Sequence, residues 1–462
     1  MKVFNSLSKK VEDFKPISPE LVTMYTCGPT VYDFQHIGNF RTFAVSDLVL
    51  RTLKFNDYNV RFIMNLTDVG HLTGDNQGDA DTGVDRMEMA AEREGKSVKD
   101  ISNYYTRVFL EDFEKLNLQK PEKFTKASEY IQEQIDLVKT LEKRGFTYKI
   151  SDGIYFDTSK YKSYGLMSGL TSENVLEGAR VEPNAEKKNP TDFALWKFSP
   201  LDQMRWQEWD SPWGRGFPGW HAECSAMILK ELGETIDIHM GGEDHKMIHH
   251  PNEMAQSECA TGKRFVNYFM HVSHLQVDGG RMGKSLGNAY TLSDLEAKSF
   301  EPLALRYFYL SAHYRSKLNF TFQALQGAQN ALRKLYDLVS SFQEDEDAVE
   351  AIDYLEQFKH TLDDDLNTPK ALAVMWDMIK SDIPEASKIV TLLKFDEVLG
   401  LNLDEYVGFD LPQKVIDLAK IRWTYKKSGI WDKADTVRRE IEELGFYVED
   451  TTDNYRIKRK LD

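Results

Sequence analysis

The chain has 462 residues, of which 41% are hydrophobic and 12% aromatic, which is enough for several domains with cores of their own. Its 74 acidic and 58 basic residues give a net charge of −16, which argues against indiscriminate binding to nucleic acid because such binding needs a positive field, and leaves a local basic patch as the alternative. Three cysteines exclude a disulfide framework, and the first residues, MKVFNSLSKKVEDFKP, contain no apolar signal core. No run of about 18 apolar residues occurs, so we expect a cytoplasmic protein that spans no membrane.

The first third of the chain alternates strand and helix patterns. Residues 21–26, LVTMYT, predict a strand, residues 40–53 a buried helix, and residues 60–68, VRFIMNLTD, a second strand. A strand, a crossover helix and a strand make a βαβ unit, so we predict a parallel sheet in an α/β fold. The segment 70–85 is rich in Gly, Asp and Asn and is predicted to be a mobile loop.

The middle of the chain adds helices and then a stretch of loops and short strands. Helices are predicted at about 97–118 and 127–144, and loops and strands at about 150–215. The α/β pattern resumes at FPGWHAECSAMILKELG (217–233), and TIDIHMGGED (235–244) predicts a strand that ends in a glycine turn.

From about residue 300 the pattern becomes helical. One apolar stripe runs through residues 322–342, and a further helical block covers 351–400. From Lys414 onward the chain carries 12 Lys or Arg against 10 Asp or Glu, so this tail is basic while the rest of the chain is acidic. Residues 431–462 predict a helix, a strand, a turn and a strand, which indicates a small separate module.

The stretch GPTVYDFQHIGN (28–39) is typical of a phosphate site. A strand runs into a glycine-containing turn that opens a helix, and a helix N-terminus offers free N–H groups and a positive dipole end. Gly38 lets the backbone approach a ligand, while His36 and Asn39 can donate to phosphate oxygens. A purely structural polar helix cap is the alternative.

A second glycine-rich stretch, GGRMGKSLGN (279–288), lies far along the chain. It is not a Walker loop, because the GxxxxGK[ST] spacing is absent. A mobile Lys284 can close over a triphosphate and stabilise charge in a transition state. The alternative is a flexible surface loop.

A third pattern joins WHAEC to IHHPNE. Cys224 is followed by His249, and Glu253 lies one helical turn after that histidine, so the two can share one ligand. Cysteine, histidine and carboxylate are ordinary zinc ligands. The alternative is a buried thiol beside a polar helix face.

Taken together, these motifs resemble those of the cysteinyl-tRNA synthetases, a family of class I aminoacyl-tRNA synthetases. CGPTVYDFQHIGN, GWHAECSAM, GGEDHKMIHHPNE and RMGKSLGN occur in the family's order and at nearly its spacing. DDDLNTPKALAV (363–374) and WDKADTVRREIEELGFYVEDT (431–451) extend the resemblance over nearly the whole chain. It implies a Rossmann-type α/β catalytic domain with a parallel sheet, an α-helical bundle domain and a small mixed C-terminal module.

The resemblance also implies domain limits. The catalytic domain covers 1–300, with an inserted connective segment at about 85–205. A tRNA-binding bundle of the DALR type covers 301–405, and an anticodon-binding module covers 406–462.

The family's HIGH motif matches residues 36–39 and its KMSKS motif matches residues 281–285. Asparagine replaces the last histidine of the first motif, and in the second Arg281 and Gly283 depart from the pattern while Lys284 is retained. The residues implied for catalysis are His36, Asn39 and Lys284. Those implied for ATP binding are His36, Gly38, Asn39, Gly241, Gly242, Asp244, Arg281, Met282, Lys284 and Ser285.

The resemblance implies one zinc ion per chain, held by Cys27, Cys224, His249 and Glu253. Zinc binds thiolate but not hydroxyl, so it would select cysteine over serine where shape alone discriminates only about 10²-fold. No editing domain is then needed. The residues implied to contact the substrate cysteine are Gly28, Thr30, Thr67, Trp220 and His221. Cys259 is interpreted as a buried structural thiol and His250 as an ordinary helix residue.

The implied reaction forms cysteinyl-adenylate from L-cysteine and ATP, with Mg²⁺ on the phosphates, and then charges tRNA-Cys. The chain is expected to act as a monomer. Basic and aromatic residues of the tail are the candidate tRNA contacts, with a solvated basic surface as the alternative. They are Trp431, Arg438, Arg439, Arg456, Lys458 and Arg459. The loop after NLTD departs from the family pattern, so it either alters pocket closure or is a tolerated surface insertion.

Two other functions fit part of this pattern. A cysteine ligase with an amino-sugar acceptor uses the same adenylation chemistry, but such enzymes lack the full C-terminal module. A non-catalytic, zinc-stabilised RNA-binding protein derived from this fold would not need His36, Asn39 and Lys284 together. Both alternatives are separable by assay.

Overall fold

The computed structural model describes residues 1–69, 72, 83–169, 184–200, 205–407, 412–450 and 455–459. They divide into two compact units. The first comprises Met1–Ala297, His313–Phe320 and Asp363–Leu366, and the second Lys298–Ala312, Thr321–Leu362 and Asn367–Asp462. Among the helices described, none is both long enough and apolar enough to cross a bilayer. The loop predicted at 70–85 falls mostly outside the described residues.

The first unit is built from short strands and seven helices within the described ranges. Its strands, β1 to β14 in chain order, are Lys2–Asn5, Lys10–Asp13, Val22–Thr26, Val60–Leu66, Lys123–Lys126, Thr147–Ile150, Gly153–Phe156, Phe193–Phe198, Gly216–Pro218, Ile236–Gly242, Val266–Val272, Leu275–Val277, Gly280–Arg281 and Leu318–Phe320. Its helices, α1 to α7, are Ile37–Phe55, Arg86–Glu94, Val98–Lys115, Ile131–Lys143, Trp220–Glu231, His249–Thr261 and Leu292–Glu296. Short 3₁₀ turns cover Ala127–Glu129, Thr158–Lys160, Glu243–Lys246 and Lys284–Leu286.

A five-stranded sheet forms the centre of the first unit. Its strand order is β11-β10-β3-β4-β5, and every neighbouring pair is parallel. Met24 of β3 lies opposite Ile238 of β10 on one side and Phe62 of β4 on the other, and all three are buried. Such apolar strands are typical of a parallel sheet with both faces covered. The predicted parallel α/β sheet is therefore confirmed, and the carboxyl ends of its strands meet at one edge.

A second, antiparallel sheet of the first unit has the order β6-β7-β8-β9. Trp196 of β8 is fully buried in a cluster that also contains Val138 and Leu141 of α4 and Ala226 of α5. The apolar stripe of α4 thus packs with this sheet, as the spacing of its residues predicts.

The second unit is mainly helical. Its helices, α8 to α14, are Pro302–Leu310, Phe322–Ser341, Ile352–Asp363, Thr368–Lys380, Glu385–Leu399, Gln413–Lys427 and Trp431–Glu443. A 3₁₀ turn covers Leu403–Tyr406, and strands β15 and β16 are Phe446–Asp450 and Tyr455–Arg459. Leu325, Leu332 and Leu335 of α9 are fully buried, as the predicted stripe requires.

The end of the second unit has its own small core. Val415 and Ala419 of α13 pack with Ile441 of α14 and Phe446 of the β15–β16 hairpin. The hairpin is antiparallel, as the strand–turn–strand pattern predicts, although residues 451–454 of the predicted turn lie outside the described residues. The predicted domains that end at residues 300, 405 and 462 stay predictions.

Candidate active site

Four side chains from distant parts of the chain meet at the carboxyl edge of the parallel sheet. The sulfurs of Cys27 and Cys224, a ring nitrogen of His249 and a carboxylate oxygen of Glu253 all lie within 4.8 Å of one another, and all four residues are buried. Cys27 follows β3, Cys224 lies in α5, and the other two lie one turn apart in α6. That helical spacing brings His249 Nε2 to 2.9 Å from Glu253 Oε1.

The protonation of this cluster fits a site for a divalent cation. A hydrogen bond with Cys27 lowers the pKa of the Cys224 thiol to about 6. Burial opposes a charged imidazole, yet the carboxylate of Glu253 raises the pKa of His249 to about 10. A proton on His249 thus supplies the positive charge that buried anionic donors require. Two sulfurs, one nitrogen and one oxygen are a donor set that suits zinc, so these residues fit that ion.

Two further histidines contact the same donors. His239 Nε2 lies 2.6 Å from Glu253 Oε2, and His250 Nε2 lies 3.5 Å from Cys27 Sγ. Together with Cys27 and Glu253 they form a second set of clustered donor atoms. The interpretation of His250 as an ordinary helix residue is wrong, because its ring is fully buried against a donor sulfur.

The position of His239 in its strand indicates that its ring has a buried partner, but local sequence patterns do not identify that partner. It interrupts the apolar strand IDIHM, and a polar ring in a strand covered on both faces needs a buried partner. Its partner lies on α6, and the pairing of β10 with β3 places His239 opposite Tyr25. Only the tertiary arrangement brings the ring to Glu253.

A shell of hydrogen bonds orients the donors from outside. His250 Nδ1 lies 2.8 Å from His271 Nε2, and His271 Nδ1 lies 2.7 Å from Ser6 Oγ. His221 Nδ1 lies 2.8 Å from His249 Nδ1, which directs the opposite nitrogen of His249 towards Glu253. Outer partners of this kind fix the ring orientation and tautomer of a metal-binding histidine.

Of the residues predicted to contact a substrate amino acid, Trp220 and His221 lie against His249 of this cluster, and Gly28 follows Cys27. The Trp220 and His249 rings have centroids 4.5 Å apart. Gly28, Thr30 and Thr67 continue the β3 and β4 strands beyond the sheet, where Thr30 and Thr67 pair in parallel. A β-carbon at Gly28 would overlap the carbonyl oxygen of Asn65, so the chain needs glycine there.

Asn65 is a positioning residue that the sequence patterns miss. The backbone N–H of Gly28 donates to Asn65 Oδ1 at 2.8 Å, and Asn65 Nδ2 donates to Thr67 Oγ1 at 3.1 Å. The side chain is buried, so both bonds are shielded from water. A buried asparagine inside a strand is the signal that points to it.

The predicted phosphate site lies at the start of α1. His36 is the N-cap: its Nδ1 accepts a hydrogen bond from the Asn39 backbone N–H at 3.1 Å, and Asn39 Oδ1 accepts one from the His36 N–H at 3.2 Å. Burial first, and then the charge of Lys284, lowers the pKa of His36 to about 4. The neutral ring therefore accepts at Nδ1 and carries its proton on Nε2, where it can donate. Both the cap and the phosphate interpretation are thus compatible with one geometry.

The glycine-rich loop lies against this helix start. Lys284 Nζ is 2.7 Å from Asp33 Oδ2 and 3.4 Å from the Phe34 carbonyl oxygen. A β-carbon at Gly38 would lie 3.2 Å from the Met282 sulfur, so the loop packs directly on the glycine. Arg281 is exposed in β13. The Ser285 side chain lies outside the described residues.

The glycine turn after β10 completes the edge. A β-carbon at Gly241 would lie 2.8 Å from His245 Nδ1, which also accepts a hydrogen bond from the Gly242 N–H at 3.0 Å. Asp244 follows in the 3₁₀ turn, with a carboxylate oxygen 4.0 Å from His245 Nδ1. The turn thus presents backbone and one carboxylate beside His250, which contacts the donor cluster.

The candidate RNA contacts lie in the second unit. Trp431, at the start of α14, is 60% exposed. Arg438 Nε is 3.2 Å from Glu442 Oε1, and Arg439 Nε donates to the Asp435 carbonyl at 3.5 Å. The side chains of Arg456, Lys458 and Arg459 lie outside what the structure describes.

Comparison with protein families matches two models. The model described as tRNA synthetases class I (C) catalytic domain matches residues 13–330, and the DALR domain model matches residues 357–381. The first match alone spans more than half of the chain.

Named relatives match almost end to end. The chain is 45% identical to cysteine–tRNA ligase 1 of Burkholderia lata, over 98% of this chain and 96% of the relative. It is 39% identical to cysteine–tRNA ligase of Treponema denticola, over 97% and 98% respectively, and 37% identical to that of Thermococcus onnurineus, over 98% and 97%. Among solved structures, methionyl-tRNA synthetase of Mycobacterium tuberculosis with methionyl-adenylate is similar at a TM-score of 0.55 and 15% identity, covering 87% of this chain and 94% of that one. The last likeness concerns the fold alone.

Proposed function

Because the chain belongs to the cysteine–tRNA ligases of class I, we propose that it activates L-cysteine with ATP and transfers the cysteinyl group to the 3′ end of tRNA-Cys. The observation that carries this proposal is the meeting of Cys27, Cys224, His249 and Glu253 within 4.8 Å. Action as a monomer in the cytoplasm remains a prediction.

The first step needs positioning and charge neutralisation rather than a side-chain nucleophile. The cysteine carboxylate attacks the α-phosphorus of ATP, whose Mg²⁺ travels with the phosphates, and pyrophosphate leaves. The Nε2–H of His36 and the side-chain amide of Asn39 donate to phosphate oxygens at the positive end of α1. Lys284 neutralises the charge that develops on the leaving phosphates.

Selection of the amino acid rests on the buried donors. A zinc ion held by Cys27, Cys224, His249 and Glu253 would bind the substrate thiolate and not a serine hydroxyl. Trp220 and the Gly28–Thr67 backbone would enclose the remainder of a small amino acid. Asn65 keeps that backbone in place by bonding to both strands. Discrimination by the metal would make editing unnecessary.

In the second step the terminal ribose hydroxyl of tRNA attacks the adenylate carbonyl and AMP leaves. Gly241, Gly242 and Asp244 are proposed to line the adenylate. The exposed Trp431, Arg438 and Arg439, with the basic β16 residues, are proposed to contact tRNA.

Two assays test the proposal in sequence. Purified protein is expected to exchange pyrophosphate into ATP with cysteine and not with serine, and then to charge tRNA-Cys. Exchange with cysteine that is followed by transfer to an amino sugar, and by no charging of tRNA, would favour the sugar ligase. Absence of exchange with intact RNA binding would favour the non-catalytic alternative.

A further inference from the structure

Two neighbouring tyrosines of α3 have different environments. Tyr105 is 5% exposed, and its hydroxyl donates to Glu94 Oε1 at 2.6 Å. Tyr104 is only partly buried, and its hydroxyl makes no hydrogen bond with a described residue. The Phe34 ring packs edge-on against both, with centroids 5.1 Å from Tyr105 and 6.3 Å from Tyr104. Tyr105 thus anchors the group, while Tyr104 and Phe34, which is 38% exposed, face outwards.

Two cations flank the outer tyrosine. Lys96 Nζ lies 5.1 Å and Arg107 Cζ lies 5.5 Å from the centroid of the Tyr104 ring. We call Phe34, Lys96, Tyr104 and Arg107 the aromatic–cation patch. Both distances are within the range of a cation–π contact.

The carboxylates near the patch hold its cations only loosely. Lys96 Nζ is 3.1 Å from Glu94 Oε2, and Arg107 Nε is 3.8 Å from Glu111 Oε1. The side chains of Lys96, Arg107 and Glu111 are at least 46% exposed, and that of Glu94 is 20% exposed. Exposed ion pairs are weak and screened by salt, so phosphates can compete for both cations.

The patch adjoins the proposed ATP site. The carbonyl oxygen of Phe34 lies 3.4 Å from Lys284 Nζ, and the same ammonium lies 5.3 Å from the Tyr32 ring. Aromatic rings and cations therefore continue from the patch to the lysine proposed to act on ATP. Alternation of rings and cations is typical of surfaces that bind single-stranded nucleic acid.

We propose that the aromatic–cation patch holds the unpaired 3′ end of tRNA as it enters the active site, with a base stacked on Tyr104. This inference rests on the proposed function, because only an RNA substrate must bring a single-stranded end to Lys284. Stacking supplies affinity without base identity, and Lys96 and Arg107 neutralise adjacent phosphates. In a chain of net charge −16, such local cations matter because the overall field repels RNA.

The test separates two reactions of the full-length protein. Cysteine-dependent ATP–pyrophosphate exchange needs no RNA, whereas charging needs tRNA-Cys. Tyr104→Ala is expected to raise the KM for tRNA-Cys by about 10-fold or more and to leave exchange unchanged, because one stacking surface is lost. Tyr104→Trp is expected to keep the KM near that of the wild type, since it retains a stacking surface.

Trimmed RNA locates the contact. Tyr104→Ala is expected to bind intact tRNA-Cys more weakly than the wild type, but to bind tRNA-Cys without its unpaired 3′ nucleotides as well as the wild type does. The double variant Lys96→Gln/Arg107→Gln is expected to reduce the salt slope of intact-tRNA binding by about 0.7 for each cation. Equal weakening with both RNAs, or an unchanged KM for tRNA, would overturn the proposal.

Tyr148→Ala is the control for loss of a cation-flanked tyrosine at another place in the first unit, where the Tyr148 hydroxyl also donates to Asp192 Oδ2 at 2.7 Å. Tyr148 is also partly buried and has Lys188 Nζ 4.4 Å from its ring centroid, but it lies in β6 of the antiparallel sheet. Its KM for tRNA-Cys is expected to match that of the wild type. A wild-type protein without exchange activity would contradict the proposed function instead, and the two RNA-binding measurements would still decide the role of Tyr104.

Discussion

The ammonium of Lys284 lies 2.7 Å from the Oδ2 atom of Asp33, three residues before the N-cap of α1. The pair holds the glycine-rich loop against the proposed ATP site before any phosphate is present. It also means that Lys284 must exchange one anion for another when ATP binds. The Lys284 side chain is 47% exposed and that of Asp33 is 23% exposed, so the pair is a surface contact of modest strength.

Asp33→Asn is expected to increase the kcat/KM for ATP in the exchange reaction at low ionic strength. The pair costs at most about 1 kcal/mol to break, so the gain is limited to about 5-fold, and salt should abolish it. Initial rates of exchange at varied ATP and ionic strength measure this effect. Asp278→Asn is the control, because Asp278 precedes the same loop and forms no ion pair with a described residue. A decrease in kcat/KM would show that Asp33 positions Lys284 productively.

Cys27→Ser is expected to remove most of the bound zinc and to weaken cysteine activation much more than ATP binding. A hydroxyl is a poor replacement for a thiolate in a zinc site, whereas the proposed ATP contacts start at His36. Zinc content per chain and the separate KM values for cysteine and ATP measure the effect. Cys259→Ser should keep the metal, because that buried thiol lies outside both donor sets. Equal loss for both substrates would mean that Cys27 serves the fold.

His239→Gln is expected to lower zinc affinity by about 10- to 100-fold while the protein still folds. The ring holds Glu253 Oε2 at 2.6 Å, and loss of an outer partner misorients a metal-binding carboxylate. Competition with a chelator of known affinity measures the change. His360→Gln, at an exposed histidine of α10, should behave as the wild type. Unchanged zinc affinity in His239→Gln would contradict an orienting role.

The sequence predicts the four clustered donors better than it predicts the side chains that orient them. His249 and Glu253 are predictable because one helical turn separates them, and Cys27 and Cys224 because they accompany recognisable motifs. His239, His271 and Asn65 are not, because each contacts a residue of another element: His239 and His271 contact side chains of α6, and Asn65 contacts Gly28 after β3. Local patterns likewise predict α1 and the parallel sheet, but not the contact of Lys284 with Asp33.

The lowered pKa of His36 predicts that the stability of the folded chain depends on pH. Burial and the charge of Lys284 lower this pKa from 6.5 to about 4, so the unfolded chain takes up this proton before the folded one does. The contribution of His36 to stability is therefore complete above pH 6.5 and is lost as the pH falls towards about 4. His36→Asn keeps a good N-cap residue but has no group that titrates in this range.

Thermal unfolding of the wild type and of His36→Asn across this pH window measures the effect. The melting temperature of the wild type is expected to fall relative to that of His36→Asn on acidification, because only the wild type loses this contribution. A parallel decrease in both proteins would show that His36 is equally easy to protonate in the folded and unfolded chains. The neutral ring, which accepts from Asn39 at Nδ1, would then prevail only above about pH 6.5 and not down to about pH 4.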